Sequence, residues 1–418
     1  MEDIKSVILA NTRLWPISRE SSPKQFAILK ELDMSLFQIT LKRALKISKI
    51  DDIYVVVSKE NFFHVVQSKK IYEIKEKNII IQPSMKETLP VMCLITKKIK
   101  NIITMPSDHL IRDSQKFKDY IYSSLDYIKK ITSFIVPTKP ETYYIEKDKK
   151  TNKIKQFHEK PDEKTALKFI KKGFLWNSIY LFNSDIFWKE VSIHKNEMKN
   201  IFMSSKSDEE IYNEVEAIPF ETIAEKSKNM YCISMDLKWS DLGSFDSIEY
   251  IDENKIKNEN IIEEESKNNI VLQESDEKEI ALIDVEDLVI VDTSDVLLIS
   301  KRSTQKVKQV VKKTKKISDI EYRPWSFKIL SKNYKTKKIT VLPKKLSLQS
   351  HQHRSEHWVV VETVVTIEKD FILPKESIFV PIKKHRIENK KIPLIIIESQ
   401  IDYLYEDDIE RFDDDFRQ

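Results

Sequence analysis

Short apolar runs separated by polar breaks set the pattern of this chain. VILA (7–10), IYVVV (53–57) and NIITM (101–105) read as buried strands, and SLFQITLKRALKI (35–47) repeats its apolar positions at helical spacing. This alternation of strand-like and helical segments continues over residues 1–255 and predicts an α/β domain with a mostly parallel sheet. Residues 256–316 open with a polar, acidic stretch. They continue with the short strands EIALIDV, DLVIVDT and DVLLIS and end in a lysine-rich segment, STQKVKQVVKKTKK, with helical character. Residues 317–418 lose the helical period. ITVLP, HWVVVETVVTI, SIFVPI and PLIIIES, broken by turn residues, predict a sandwich or small barrel.

Composition narrows the class. A chain of 418 residues exceeds one ordinary core and predicts two or three domains. Lys+Arg 71 against Asp+Glu 67 leave a net charge of +4, too small to argue for a nucleic acid partner. Cys93 and Cys232 form no disulfide framework and fit a reducing compartment. The acidic start MEDIKSVILA predicts no signal peptide, and no apolar run reaches membrane-spanning length. The expectation is a cytoplasmic protein with no membrane partner; the sequence leaves a homo-oligomer open.

One compositional feature changes the picture. The chain has 2 glycines, Gly173 and Gly243, where average usage predicts about 30. The shortage falls where chemistry would need glycine. VILA runs directly into Asn11-Thr12-Arg13, and strand-to-loop junctions that cradle phosphates need close backbone approach without a Cβ. ANTRLWP equals A-G-G-N-G-T-R-L-W-P with only its glycines removed. SFIVPTKPETYYIEKD, YRPWSFKIL and PIKKHRIENKKIPL likewise read as glycine-bearing motifs with the glycines omitted and their neighbours kept. Drift substitutes more often than it deletes, so the pattern predicts a native polypeptide with additional glycines. A codon read as glycine in the source lineage and skipped in translation would produce it.

Several motifs carry candidate chemistry. Arg13 and Lys24 supply positive charge after the first strand, where a triphosphate would sit beside Asn11 and Thr12. A lone pair of cations is usually an ordinary surface feature; the flanking TRLWP and PKQF set this pair apart. MPSDH places Asp108, after Pro106, at the end of an apolar strand as a hard oxygen ligand for Mg²⁺. A single such Asp is usually a cap. WSDLGSF offers Asp241 as a second carboxylate from a distant part of the chain. FHEKPD sets Glu159 beside Lys160, a carboxylate for sugar hydroxyls and an ammonium for a sugar phosphate, although E-K-P alone is mostly a solvated turn. FLWNSIYLF places Asn177 after an apolar turn, where its amide would read a hydroxyl.

These motifs, with LSLQSHQHRSEHWVVV, resemble the bifunctional mannose-1-phosphate guanylyltransferase/mannose-6-phosphate isomerase family over nearly the whole chain. The resemblance implies a Rossmann-like nucleotidyltransferase domain over 1–255, a β-rich connecting region with a terminal helix over 256–316, and a C-terminal all-β cupin barrel over 317–418. It implies GTP and mannose 1-phosphate as substrates of the first domain and hexose 6-phosphates as those of the cupin. QPSMKETLP resembles the segment for base and ribose, with Thr88 matched, but Gln82 replaces the usual Glu and Glu87 the usual Asn or Asp. In the cupin block, His351 and His353 are expected to alternate along one strand and face one side. Glu356 and His357 follow at cupin ligand spacing, and a later strand brings His385. Such a set suits Zn²⁺ or another divalent ion, with Arg354 and Arg386 for the substrate phosphate. Two alternatives stay open. One is a nucleotidyltransferase for another base or sugar with a purely structural cupin. The other is a non-catalytic binding protein, if the glycine loss is real and the phosphate loop cannot form.

Overall fold

The computed structural model describes residues 3–10, 24–26, 28–29, 34–67, 74–136, 143–148, 150–159, 176–240, 260–273, 278–293 and 296–302, and beyond these mainly the strands of residues 320–414. The chain divides into two compact units, Met1–Val311 and Lys312–Gln418.

The first unit is built on a seven-stranded sheet. Its spatial order is Met230–Ser234, Ile131–Val136, Trp176–Asn183, Asn101–Pro106, β1 (Lys5–Leu9), Ile53–Ser58 and Ile79–Gln82. Only Trp176–Asn183 runs antiparallel to its neighbours; the other pairings are parallel. Both faces are covered, as parallel strands require. Val55 and Val57 enter one core cluster with Phe37, Leu41 and Phe117, whereas Val56 enters the other with Leu89, Phe187 and Phe220. This is the two-residue period of a strand buried on both sides.

Helix α1 (Leu36–Ile47) forms where the apolar spacing predicts it. Ser35 and Gln38 close its N-terminus as a capping box, with the Ser35 N–H donating to Gln38 Oε1 at 2.9 Å and the Gln38 N–H donating to Ser35 Oγ at 3.2 Å. Its buried stripe is Leu36, Phe37, Thr40, Leu41, Arg43, Ala44 and Ile47. Two polar residues therefore lie in an otherwise apolar face.

The region after the sheet is a short β-helix. Ile261–Glu264 pairs in parallel with Ile280–Ile283, and Ile270–Gln273 with Leu288–Asp292. Equivalent positions stand 19 residues apart: the Val285 N–H donates to Ser266 Oγ at 3.2 Å, and the Leu288 N–H to Asn269 Oδ1 at 3.0 Å. Each of the two stacked turns uses a pair of residues at positive φ, Glu265 and Asn268 in one, Asp284 and Asp287 in the other. Asn and Asp tolerate this left-handed conformation better than other residues with a Cβ. The strand Leu297–Lys301 then folds back antiparallel on Leu288–Asp292. The lysine-rich segment 303–316, expected to be helical, lies largely outside the described residues.

The second unit consists of antiparallel strands. One sheet orders Ile320–Tyr322, Trp325–Ser331, Thr336–Val341, Leu394–Asp402, Arg354–Glu362 and Ser377–Val380. The other orders Asp370–Ile372, Val365–Ile367, His385–Glu388, Leu346–His351 and Ile409–Asp414. Trp358, Val360 and Ile396 are buried in the first sheet. This is the cupin-like architecture expected.

Candidate functional sites

In open α/β sheets, ligands bind outside the carboxyl ends of the strands where the strand order reverses. Here β1 leads to Ile53–Ser58 on one side, while Asn101–Pro106 lies on its other side. The reversal therefore falls between β1 and Asn101–Pro106. Ser107 sits at that crevice, its N–H donating to the Leu9 carbonyl at 2.9 Å. Asp108 follows, 7% exposed.

The turn that carries Asp108 is held from both sides. From α1, the Thr40 hydroxyl donates to the Ser107 carbonyl at 3.5 Å, and Arg43 Nη2 donates to the His109 carbonyl at 3.0 Å and to Thr40 Oγ1 at 2.8 Å. Arg43 is buried and its guanidinium lies over the Phe117 ring at 5.7 Å. Burial pushes its pKa down to about 10, so it stays charged at neutral pH. From the other side, Leu110–Ile111 pairs antiparallel with Trp239–Ser240, Ile111 opposite Trp239 and Leu110 opposite Ser240. The His109 ring meets Trp239 edge-on at 5.0 Å. Asp241 is the next residue in the chain after Ser240. It lies outside the described residues, as do Asn11, Thr12, Arg13 and Lys160.

Lys24 begins the short helix Lys24–Phe26, where Phe26 packs on Phe37 at 5.2 Å and stacks on His64 at 5.0 Å. Pro106 ends its strand opposite Leu9. Thr88 opens the helix Thr88–Thr96, and its Oγ1 accepts a hydrogen bond from the Phe220 N–H at 2.8 Å. Gln82 ends the strand Ile79–Gln82 in register with Ser58. Both are buried, and among the described residues Gln82 Oε1 and Ser58 Oγ have no hydrogen-bond partner. Two bare polar atoms at the carboxyl edge of the sheet suit a polar ligand edge. Ser58 was not singled out from the sequence, nor were Thr40 and Arg43.

On the sugar side, Glu159 is the last residue of Ile154–Glu159. Asn177 is the second residue of the strand Trp176–Asn183, where the register against Ile131–Val136 shifts between Trp176 and Ile179; the apolar turn expected before it lies outside the described residues. Such irregularities re-aim a strand and cluster near sites. Farther along this strand, the Tyr180 hydroxyl donates to Glu221 Oε1 at 3.1 Å, and burial raises the Glu221 carboxyl above the usual range.

In the second unit, one expectation changes. The strand Leu346–His351 ends at His351, and Arg354 already opens a strand of the other sheet. The expected alternation of His351 and His353 lies outside the described residues, because His353 is not among them. His357 is exposed, while its neighbour Trp358 is buried. Successive residues of a strand take opposite faces. Position 356 shares the face of Trp358 and Val360, and His357 takes the other, so the Glu356–His357 pair is divided. Two elements of the set do come together. Gln349 is opposite His385 across adjacent strands, which puts positions 349, 351 and 385 on one face of their sheet. Arg386 stands opposite Leu348, and Arg354 begins the strand that carries Glu356. Among the described residues there is no group of three or more metal-binding side chains; the side chains at 351, 356 and 385 are not among them.

Comparison with known proteins decides the family. The profile described as Nucleotidyl transferase matches residues 5–258, the MannoseP isomerase/GMP-like beta-helix domain matches 259–314, and Mannose-6-phosphate isomerase C-terminal matches 309–414. The alginate biosynthesis protein AlgA of Pseudomonas putida is 32% identical over 97% of this chain and 94% of its own length. The chain belongs to the mannose-1-phosphate guanylyltransferase/mannose-6-phosphate isomerase family. Another member, the mannose-1-phosphate guanylyltransferase of Escherichia coli, is 31% identical over 97% of this chain and 96% of its own length. A Thermus thermophilus crystal structure, described as a mannose-1-phosphate geranyltransferase, shares the fold with TM-score 0.65 and 20% identity, covering 74% of this chain and 99% of its own. The alignment with AlgA runs over 462 positions, more than the 418 residues of this chain, so that family member carries residues missing here. Both enzyme families use divalent metals. No helix among the described residues is long and apolar enough to cross a membrane.

Proposed function

We propose that the chain makes GDP-mannose from GTP and mannose 1-phosphate, and that its cupin unit interconverts fructose 6-phosphate and mannose 6-phosphate. The observation that carries the transferase reading is the register of Leu110–Ile111 against Trp239–Ser240 at the point where strand order reverses. It joins the PSDH and WSDLGS motifs, more than a hundred residues apart, around a buried carboxylate.

The donors fit a hard cation: Asp108 and Asp241 offer oxygen ligands, and Asp108 is already desolvated. They would hold Mg²⁺, which when bound offsets charge on the triphosphate. Arg13 and Lys24 would offset the charge of the triphosphate, with Asn11 and Thr12 beside it. Thr88, Gln82 and Ser58 face base and ribose at the sheet edge. Glu159, Lys160 and Asn177 bind and orient the sugar phosphate. Its oxygen attacks the α-phosphorus in line, the bond to the β-phosphate oxygen breaks, and pyrophosphate leaves.

In the cupin, His351, His353, Glu356 and His385 would hold a divalent ion, which when bound would polarise substrate oxygens. Arg354 and Arg386 hold the phosphate. Assay of both half-reactions against a panel of nucleoside triphosphates and sugar phosphates tests the function. GTP-dependent release of pyrophosphate with mannose 1-phosphate, and interconversion of the hexose 6-phosphates, are expected. Preference for another base or sugar, or an inactive cupin, would overturn the corresponding half.

A further inference from the structure

Arg43 is an unusual residue for the interior of an α/β domain. It is 1% exposed, and among the described residues its Nε and Nη1 make no hydrogen bond. A buried guanidinium with part of its fork unsatisfied is poor stabilisation; an apolar side chain of similar volume normally serves a core as well or better. What Arg43 does reach is specific. With Thr40, one helical turn earlier, it holds the carbonyls of the residues before and after Asp108: Thr40 that of Ser107, Arg43 that of His109. The two side chains are themselves joined, Arg43 Nη2 donating to Thr40 Oγ1 at 2.8 Å. The carboxylate is thus carried on a turn held by one helix at the carbonyls of the residues before and after it, and that helix is anchored by a capping box at Ser35.

We propose that Thr40 and Arg43 are positioning residues for the divalent-metal site of the transferase, setting its affinity by fixing the backbone that carries Asp108. This rests on the reading of Asp108 as a metal ligand. Outer partners of this kind hold a ligand in its binding geometry, and losing them weakens the site without removing any ligand.

The test uses the full chain in four variants, Thr40→Val, Arg43→Met, Arg43→Lys and Asp108→Asn. Mn²⁺ binding in the presence of a non-hydrolysable GTP analogue is counted by electron paramagnetic resonance. Hexose-phosphate isomerisation by the other unit measures intact protein. The expected result is Mn²⁺ affinity lowered about 10- to 100-fold in Thr40→Val and Arg43→Met. Arg43→Lys, which keeps the charge but not the planar fork, should fall between these and the parent, and isomerase rates should stay unchanged. Unchanged Mn²⁺ affinity in Thr40→Val and Arg43→Met, with affinity lost in Asp108→Asn, would overturn the proposal and leave the metal reading standing. Unchanged affinity in Asp108→Asn would instead remove the metal reading. Should Arg43→Met not fold, Thr40→Val, which alters neither charge nor volume appreciably, decides alone.

Discussion

Asp108 and His351 both stand where a strand gives out, yet their surroundings are assembled differently. Around Asp108, contributions arrive from β1, from α1, from Leu110–Ile111 and from Trp239–Ser240, and each is fixed by a long-range bond. Around His351, the candidate ligands come from one short block, residues 351–357, plus His385 on the neighbouring strand. The first arrangement depends on many distant parts of the fold being in register. The second depends mainly on one strand pairing, with Gln349 opposite His385. A site of the first kind is rigid and exposed to length changes anywhere upstream, whereas a site of the second kind is local and robust to them.

The largest expected effect concerns the polypeptide itself. Omission of family glycines bears hardest on the long-range site, since a one-residue deletion in a strand sends later side chains to the opposite face. The native protein is expected to carry about 25 further glycines, with insertions at Asn11, Trp325 and Lys383. Intact-mass and peptide spectrometry checks this, and an intact mass equal to 49.5 kDa would refute it. Next, Asp108→Ala should lower Mg²⁺-dependent pyrophosphate release by at least about 100-fold while hexose-phosphate isomerisation stays intact; parallel loss of both activities would erase the distinction between the sites.

On the cupin side, His351→Ala with His385→Ala should remove bound metal and isomerase activity and spare nucleotidyl transfer. His357→Ala, on the outer face, should retain the metal. Elemental analysis separates these outcomes, and loss of metal from His357→Ala would restore it to the ligand set. The smallest effect is electrostatic. Burial raises the Glu221 carboxyl in the folded state. Its stabilising contribution is therefore present below the unfolded carboxyl pKa and fades as pH rises through the folded one. Glu221→Gln keeps an acceptor for the Tyr180 hydroxyl. Its urea midpoint should exceed that of the parent at pH 8, with the difference vanishing in acid.

The sequence made β1, Ile53–Ser58 and Asn101–Pro106 legible because each is an apolar run buried on both faces, and it made α1 legible through its spacing. It also gave the order of the PSDH and WSDLGS motifs, though not their register. Arg43 was hidden by its type: in LKRALK it reads as one more surface cation, and only its place in the stripe with Phe37, Thr40 and Ile47 signals burial. Ser58 was hidden for the opposite reason, as a small residue closing an apolar strand. The β-helix was read as ordinary short strands. Its signal was the recurrence of an apolar run, a polar turn and a second apolar run in ENIIEEESKNNIVLQ and EIALIDVEDLVIVD.

The stacked turns of that β-helix have a consequence for how this region can change in evolution. The two described turns are offset by 19 residues, and Asn268, Asp287 and Arg302 link them through side-chain contacts. Length in this region therefore comes in whole steps. Removal or duplication of one complete coil keeps each apolar position above its counterpart, while a single-residue change breaks every contact beyond it. The segment between the sheet and the cupin is in this sense a spacer of adjustable but discrete length, and chimeras cut at equivalent rungs should fold where those cut between rungs fail.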